Sequence, residues 1–143
     1  MEFNNDTIFA LSSGIGKSAT ALIRISGKDS FNIIKKISLK APKKTNVAYY
    51  NKIFDEKGGV IDETITTIFK SPKSFTGEDM VELSLHGSNA VIKKTIKVLG
   101  ATGRARIANP GEFTRRAFEN NKLDLTQVEA ISDIVNAETE IQR

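Results

Sequence analysis

The chain has 143 residues, a formal net charge of +4 at pH 7 and no cysteine, and this length is enough for one compact domain and the beginning of a second. Without cysteine, the sequence excludes thiol catalysis, cysteine-ligated zinc and a disulfide framework. The acidic, amide-rich N-terminus differs from a secretory signal, and no apolar stretch of the sequence is long enough to cross a bilayer. We therefore expect a soluble, cytoplasmic protein with no membrane function.

The first third of the chain is predicted to contain two strands and a helix. β-Branched and apolar residues recur over Thr7–Leu11 and Thr20–Ser26, and a loop with two glycines separates the two runs. Apolar residues at helical spacing predict a helix over about Ser30–Ile37, which Asp29 or Ser30 would cap.

The middle of the chain is predicted to form three strands. Asn46–Phe54 and Val60–Phe69 flank the segment Asp55–Gly59, whose glycines suit the positive φ of hairpin turns, so these two strands should form an antiparallel hairpin. Asp79–His86 alternates between apolar residues and a mixed, mostly polar set, which predicts a strand with one face in the core.

Helices and one short strand are predicted for the remainder. Ser88 is expected to open an amphipathic helix that Gly100 ends in the left-handed conformation, and Arg104–Ala108 is a candidate strand. Strands interleaved with helices, with a hairpin among them, predict an α+β fold with a mixed or antiparallel sheet and flanking helices, rather than a doubly wound parallel sheet.

Two helix starts are predicted near the end of the chain. Asn109, followed by Pro110 and Glu112, indicates a capped helix that runs to about Phe118. Thr126 begins a capping box for a last helix, after which no glycine or proline provides a stop. We therefore expect the natural polypeptide to continue, the alternative being a frayed natural terminus.

Two features suggest anion binding, but only weakly. Gly14–Ser18 resembles the end of a phosphate-binding loop, yet Leu11 occupies the position of that motif's first glycine, and strand-like residues follow where a helix should begin. We favour a backbone-rich loop at the edge of a pocket. The lysines are spread over several elements, which favours a solvated surface over a nucleic-acid site.

Arg24 and Glu82 are candidate ligand contacts because each lies in the middle of a predicted strand. A guanidinium there can bind a planar anion such as a ligand carboxylate, or it can form an internal ion pair, for which Glu82 is a possible partner. The carboxylate of Glu82 can accept the two adjacent N–H groups at the edge of a pterin ring, or it can face solvent. The residues alone leave these alternatives open.

The other polar candidates are predicted to have ordinary roles. Lys122 lies on a predicted loop and is either solvated or placed over a ligand anion. His86 is the single histidine and is expected to be structural, since no metal-ligand cluster or serine–acid pair accompanies it. Glu78, Asp79 and Asp124 are expected to hydrogen-bond local backbone amides, so we predict no metal site and assign no catalytic residue.

Six short blocks of the sequence together point to one family. They are Asp6–Ile8, Leu22–Gly27, Ser74–Asp79, Leu85–Gly87, Pro110–Phe118 and Lys122–Leu125. In order and spacing they resemble the N-terminal part of the MnmE (TrmE) family of tRNA uridine-modification GTPases, over nearly the whole chain. The sequence departs from the family's pattern at two places that bear on the shape of the pocket. Leu11–Ala19 replaces the family's proline- and glycine-rich loop, and Gly87-Ser88 replaces the family's glycine pair.

The resemblance implies a tetrahydrofolate-binding and dimerisation domain over 1–119, similar in fold to the folate domain of the glycine-cleavage aminomethyltransferase, and the start of a helical domain over 120–143. It implies that Arg24, Glu82 and Lys122 contact a tetrahydrofolate derivative, either 5-formyl- or 5,10-methylenetetrahydrofolate. With a flavin-dependent partner, MnmG (GidA), the full protein would modify C5 of the wobble uridine of certain tRNAs, and its GTP, magnesium and potassium sites would lie outside this chain. A stand-alone folate-dependent aminomethyltransferase and a plain nucleic-acid-binding module are the rival hypotheses.

Overall fold

The computed structural model describes residues 5–12 and 20–132, and these form one six-stranded sheet and four helices. The strands are β1 (Thr7–Leu11), β2 (Thr20–Ser26), β3 (Tyr49–Phe54), β4 (Val60–Phe69), β5 (Met80–His86) and β6 (Ala105–Ile107). The helices are α1 (Ser30–Ile37), α2 (Asn89–Ala101), α3 (Glu112–Glu119) and α4, which begins at 125 and is helical to the last described residue, 132.

The sheet is mixed, with the strand order β3-β4-β5-β2-β1-β6. Neighbouring strands are antiparallel except for β1 and β6, which are parallel. The turn at 55–59 joins β3 and β4 as a hairpin, whereas α2 lies between β5 and β6 in the chain. The predicted α+β fold is therefore confirmed, and the arrangement differs from a doubly wound parallel sheet.

The core lies between one face of the sheet and the helices α1 and α2. Ile23 and Ile25 of β2 and Val81, Leu83 and Leu85 of β5 are all buried on this face. The helices contribute the buried side chains Ile33, Ile34, Ile37, Val98 and Leu99. Burial of each such side chain stabilises the fold by about 1.5–3 kcal/mol, so the apolar alternation of β2 and β5 fixes which way their polar side chains point.

Strand bounds are confirmed for β1, β2 and β4, and three predicted starts are wrong. β3 begins at Tyr49 instead of Asn46, because Asn46 has a φ of +59° and its N–H donates to the carbonyl of Ile68, 2.9 Å away. β5 begins at Met80, one residue later than predicted, and β6 is shorter at both ends than the predicted Arg104–Ala108. The loop residues 14–18 lie outside the described part of the chain.

The predicted C-terminal end of α2 is also wrong, and the predicted Asp29 cap of α1 is not formed. Ser88 caps α2 as expected, since its side chain accepts the N–H of Val91, but Gly100 is helical, and the left-handed residue is Gly103 with a φ of +70°. The bounds of α1 are confirmed, yet the side chain of Asp29 makes no capping hydrogen bond there.

The last two helices start differently from the predictions. α3 begins at Glu112 behind a left-handed Gly111 with a φ of +75°, so Pro110 precedes the helix. The capping box of α4 is formed by Asp124, whose carboxylate accepts the Gln127 N–H at 2.7 Å and whose own N–H donates back to the Gln127 side chain. Thr126 is therefore not the cap. The predicted domain boundary between 119 and 120 falls in the α3–α4 connection and stays a prediction.

Gly27, directly after β2, is a position where a side chain should be costly. Its φ is +136°, and an added Cβ would lie 2.6 Å from the Cα of Thr7. Gly27→Ala should therefore lower the free energy of unfolding by about 2 kcal/mol or more, measured by urea denaturation. Gly103→Ala is the matched control, because its Cβ would meet nothing within 4 Å and should cost only about 1 kcal/mol for the left-handed backbone. Equal losses would contradict the clash with Thr7.

Candidate ligand-binding face

The face of the sheet opposite α1 and α2, which we call the second face, carries the two predicted ligand contacts. Arg24 of β2 and Glu82 of β5 are register partners, and Nε of Arg24 lies 3.1 Å from Oε2 of Glu82. Both side chains stay partly accessible, at 30% and 25%. The two charges are therefore adjacent, as the ion-pair interpretation predicted, and this geometry also leaves them accessible to a ligand.

Phe75 adds an aromatic ring to this pair. It lies in the β4–β5 loop, is 37% exposed, and the guanidinium carbon of Arg24 is 5.3 Å from its ring centroid. This distance is within the range of a cation–π interaction. Phe75 was not among the predicted site residues, although an aromatic residue inside the polar block Ser74–Asp79 was a signal that it has a role other than core packing.

Most of the hydrogen-bonding capacity of the ion pair is unused. Arg24 donates only through Nε, and Glu82 accepts only through Oε2, within the described part of the chain. A guanidinium has five N–H donors and a carboxylate about four acceptor positions. The pair can therefore still donate to an anion or carbonyl and accept from a donor pair, with the ring of Phe75 beside it.

The loop that carries Phe75 is fixed by the other residues of its block. Thr76 is buried and its hydroxyl lies 2.7 Å from that of Ser26, which in turn donates to Glu78. Gly77 has a φ of +81°, and an added Cβ there would lie 2.8 Å from the side chain of Asn120. The block thus has mainly a structural role, and it positions Phe75 against β2.

Acidic and basic side chains form a connected cluster at the Ser26 end of the second face, which we call the charge network. Its members are Asp6, Glu78, Arg106, Glu112, Arg115 and Arg116. The carboxylate of Glu112 is fully buried and accepts Arg106 Nη2 at 2.6 Å and the Asn109 N–H at 2.8 Å. Arg116 is 3% exposed and contacts three of the network's carboxylates. This network was not predicted from the sequence.

Two carboxyl groups of the network, Glu112 and Asp6, have a lowered pKa. Hydrogen bonds from Arg106 lower the pKa of Glu112 from 4.5 to about 2, although burial acts in the opposite direction. The Asn109 N–H and the charge of Arg116 act in the same direction as Arg106. A hydrogen bond from Arg106 also lowers the pKa of Asp6. Glu112 and Asp6 are therefore held in their charged form by the neighbouring arginines.

Of the predicted acidic residues, Asp79 and Asp124 bond local backbone N–H groups as expected, at Ser71 and Gln127 respectively. Glu78 differs, because it pairs with Arg116 at 3.1 Å. His86 is 72% exposed, and its Nδ1 lies 2.7 Å from Asp62, which is consistent with a structural role.

Among the described residues, no hydrogen bond or ion pair joins Lys122 to Arg24 or Glu82. The backbone N–H of Lys122 donates to the carbonyl of Ala117 at 2.7 Å, and its exposed side chain makes no hydrogen bond or ion pair to the described residues. An indirect link exists, since the side chain of Asn120 donates to the carbonyl of Thr76, next to Phe75, at 2.8 Å. The structure therefore brings Arg24 and Glu82 into contact and ties the segment of Lys122 to the Phe75 loop.

Within 5–12 and 20–132, the side chains form no group of three or more potential metal ligands, and no helix in this part is long and apolar enough to cross a membrane. The model of the family described as the N-terminus of the GTP-binding protein TrmE matches residues 7–122. The chain belongs to the TrmE N-terminal family. This family is the one that the six sequence blocks resemble.

Curated relatives of the TrmE N-terminal family support this assignment. The chain is 49% identical over 138 residues to the tRNA modification GTPase MnmE of Dinoroseobacter shibae and 46% identical over 138 residues to that of Ruegeria sp.. It is 42% identical over 139 residues to the MnmE of Aquifex aeolicus. Each match covers 96% of this chain but only 31–32% of the relative, so the chain spans about a third of the length of these proteins.

Proposed function

We propose that this chain binds a reduced folate on the second face of its sheet and is the one-carbon donor module of a tRNA-modifying GTPase. The observation that carries the proposal is the accessible pair of Arg24 and Glu82, joined at 3.1 Å, with Phe75 beside it. Membership of the TrmE N-terminal family supports it, because the relatives are named tRNA modification GTPases.

The donors and acceptors at this face fit a reduced folate. The carboxylate of Glu82 has an oxygen available for the N3–H and 2-amino donors of a pterin. The remaining N–H groups of Arg24 suit the 4-oxo group or a glutamate carboxylate, and the ring of Phe75 provides apolar contact. Lys122 is proposed to bind the negatively charged tail from the neighbouring loop. The folate itself supplies the one-carbon unit, while these residues bind and orient it.

The proposal extends to the whole protein through the family. We propose that the domain forms a homodimer and that the full protein acts in the cytoplasm with the flavin-dependent partner MnmG on C5 of the wobble uridine of certain tRNAs. Its GTP, magnesium and potassium sites would lie in the part of the relatives that this chain does not span. No GTP hydrolysis is expected from these residues.

Isothermal titration calorimetry with 5-formyltetrahydrofolate tests the folate site. We expect saturable binding to the 143-residue chain and an affinity at least about tenfold lower for Glu82→Ala, because a charge-assisted hydrogen bond to the ligand is removed. Glu82→Gln, which keeps the volume, should also weaken binding. Lys97→Ala, on an exposed part of α2, is the control and should bind like the parent chain.

A purely structural ion pair makes a different prediction. Both Glu82 variants would then lower the free energy of unfolding and leave the affinity for the folate unchanged. Absence of binding to the folded parent chain, or equal losses for Glu82→Ala and Lys97→Ala, would contradict the proposed site.

A further inference from the structure

A cavity of about 1150 Å³, which we call the lysine groove, lies on the other side of the sheet from Arg24 and Glu82. Its walls come from α1, from the connection 39–45 and from the ends of β3 and β4. Ile68 lines it and belongs to the core face, as its pairing with Val81 shows. The groove is therefore a separate surface from the proposed folate site.

The charge around this groove has one sign. Five lysines line it and no acidic residue does: Lys35, Lys40, Lys43, Lys44 and Lys70. Lys70 is partly neutralised, since its Nζ lies 3.5 Å from Asp79. The other four are exposed, and their ammonium groups form no ion pair with the described residues. Four unneutralised cations around one cavity favour a ligand that carries several negative charges.

The segment that carries three of these lysines is held in place by hydrogen bonds. Lys40 donates its backbone N–H to the side chain of Asn51 at 2.9 Å, and Lys44 donates to the hydroxyl of Tyr49 at 3.3 Å. At the end of the segment, the N–H of Asn46 bonds the carbonyl of Ile68. The lysine backbones are therefore fixed around the cavity, while their long side chains can adjust to a ligand.

Two half-buried aromatic rings also line the groove, Phe31 of α1 and Tyr49 of β3. The Nζ of Lys70 lies 5.6 Å from the ring centroid of Phe31. A row of adjustable cations beside aromatic rings is how proteins bind single-stranded nucleic acid, since the cations contact phosphates and the rings stack on bases. A lysine ammonium group is a compact charge on a flexible side chain, so it can contact a phosphate without requiring a fixed geometry.

We propose that the lysine groove binds a short single-stranded segment of RNA, with Lys35, Lys40, Lys43 and Lys44 at its phosphates and Tyr49 against a base. An acidic peptide would satisfy the charges but would leave the rings without a stacking partner, so RNA is the better match. This inference goes beyond the folate site and does not depend on it, because neither Arg24 nor Glu82 lines the groove.

Fluorescence anisotropy with a labelled oligouridylate RNA of about 12 nucleotides tests the groove. The triple variant Lys35→Gln, Lys43→Gln, Lys44→Gln should bind about tenfold more weakly than the parent chain, and the slope of log affinity against log salt should fall by about 0.7 for each phosphate that a lysine no longer neutralises. Tyr49→Leu should bind about fivefold more weakly through the absence of stacking alone.

A second triple variant, Lys93→Gln, Lys94→Gln, Lys97→Gln, removes the same charge from the exposed part of α2 and should change the affinity by less than about threefold. Equal losses of RNA affinity in the two triple variants would overturn the proposal, because they would reflect net charge alone. The proposal would also be overturned if polyglutamate or inorganic phosphate competed for the groove as well as unlabelled RNA does. The ligand would then be an acidic peptide or a small anion. Titration of the groove variant with 5-formyltetrahydrofolate separates the two proposals, since folate binding should be retained.

Discussion

Arg116→Met should lower the free energy of unfolding by about 3–5 kcal/mol, which is the usual cost of removing one partner from a buried ion pair. Arg116 is 3% exposed and donates to the carbonyl of Asp6 at 2.6 Å and to the carboxylates of Asp6, Glu78 and Glu112 at 3.1–3.3 Å. Methionine fills much of the volume but supplies no donor. Since domains are stable by only about 5–15 kcal/mol in total, this loss should be visible as a large shift in the urea midpoint.

Arg115→Met is the matched control for this prediction. It makes the same chemical change one residue earlier on α3, but the side chain of Arg115 is 42% exposed, so its guanidinium is solvated in its pairs with Glu112 and Glu119. Such pairs contribute about 0–1 kcal/mol. Urea denaturation followed by circular dichroism measures both variants. If the two variants lose the same stability, Arg116 is not the centre of the network.

A double-mutant cycle with Glu112→Gln shows whether the network acts as a unit. If Arg116 and Glu112 are coupled, the double variant should lose less than the sum of the single losses, by about 1–3 kcal/mol. The N–H of Asn109 and the guanidinium of Arg106 remain bonded near Glu112, so the coupling should be partial. Strict additivity would mean that the two residues stabilise the fold independently.

The sheet could be predicted from the sequence because its signal is local. β-Branched and apolar residues alternate in β2 and β5, and the alternation alone assigns Arg24 and Glu82 to the face opposite Ile23 and Val81. The order of the strands is not local, however. β2 lies between β1 and β5, and this order brings residue 24 against residue 82. The order follows from the packing of α1 and α2 and not from any short pattern.

The helix ends could not be predicted to the residue because several residues nearby could cap each helix. Asp29, Gly100 and Thr126 all have the right chemistry, yet the structure uses other arrangements. Gly103 takes the left-handed conformation, and Asp124 pairs with Gln127 in the capping box of α4. Which candidate is used depends on where the chain must turn to reach its next contact, which a local pattern does not encode.

The charge network could not be predicted because its members are far apart in the sequence. Asp6 and Arg116 are 110 residues apart, and Glu78 reaches Arg116 across 38 residues. The only signal was that five of its six members lie in the sequence blocks that resemble the family; the sixth, Arg106, lies outside them. The blocks thus hold structural residues as well as three of the proposed ligand contacts, Arg24, Phe75 and Lys122, whereas Glu82 lies outside them.

The network also connects the stability of the domain to the proposed ligand face. Glu78 accepts from Arg116 and from Ser26, and it lies three residues after Phe75 in the same loop. Loss of Arg116 should therefore loosen the loop that places Phe75 against Arg24. A weaker folate affinity in a folded Arg116 variant would be an indirect effect, and it does not make Arg116 a ligand contact.

The domain should lose stability between pH 4.5 and about pH 2 because of Glu112. Its folded-state pKa is lowered from 4.5 to about 2, chiefly by the hydrogen bonds from Arg106. A carboxyl whose pKa is lower in the folded state stabilises the fold fully above its unfolded pKa, and this contribution disappears as the pH falls through the folded pKa. A shift of this size corresponds to about 3 kcal/mol, and the side chain of Glu112 is fully buried, so solvent does not screen it.

Urea denaturation at a series of pH values measures this loss, and two glutamine variants on α3 isolate its source. Glu112→Gln removes the titrating group, so its free energy of unfolding should start lower at neutral pH but fall less steeply below pH 4.5. Glu119→Gln changes the partly exposed partner of Arg115 and should keep the pH dependence of the parent chain. If Glu112→Gln shows the full parental slope, other carboxyl groups cause the acid sensitivity and the charge network does not govern it.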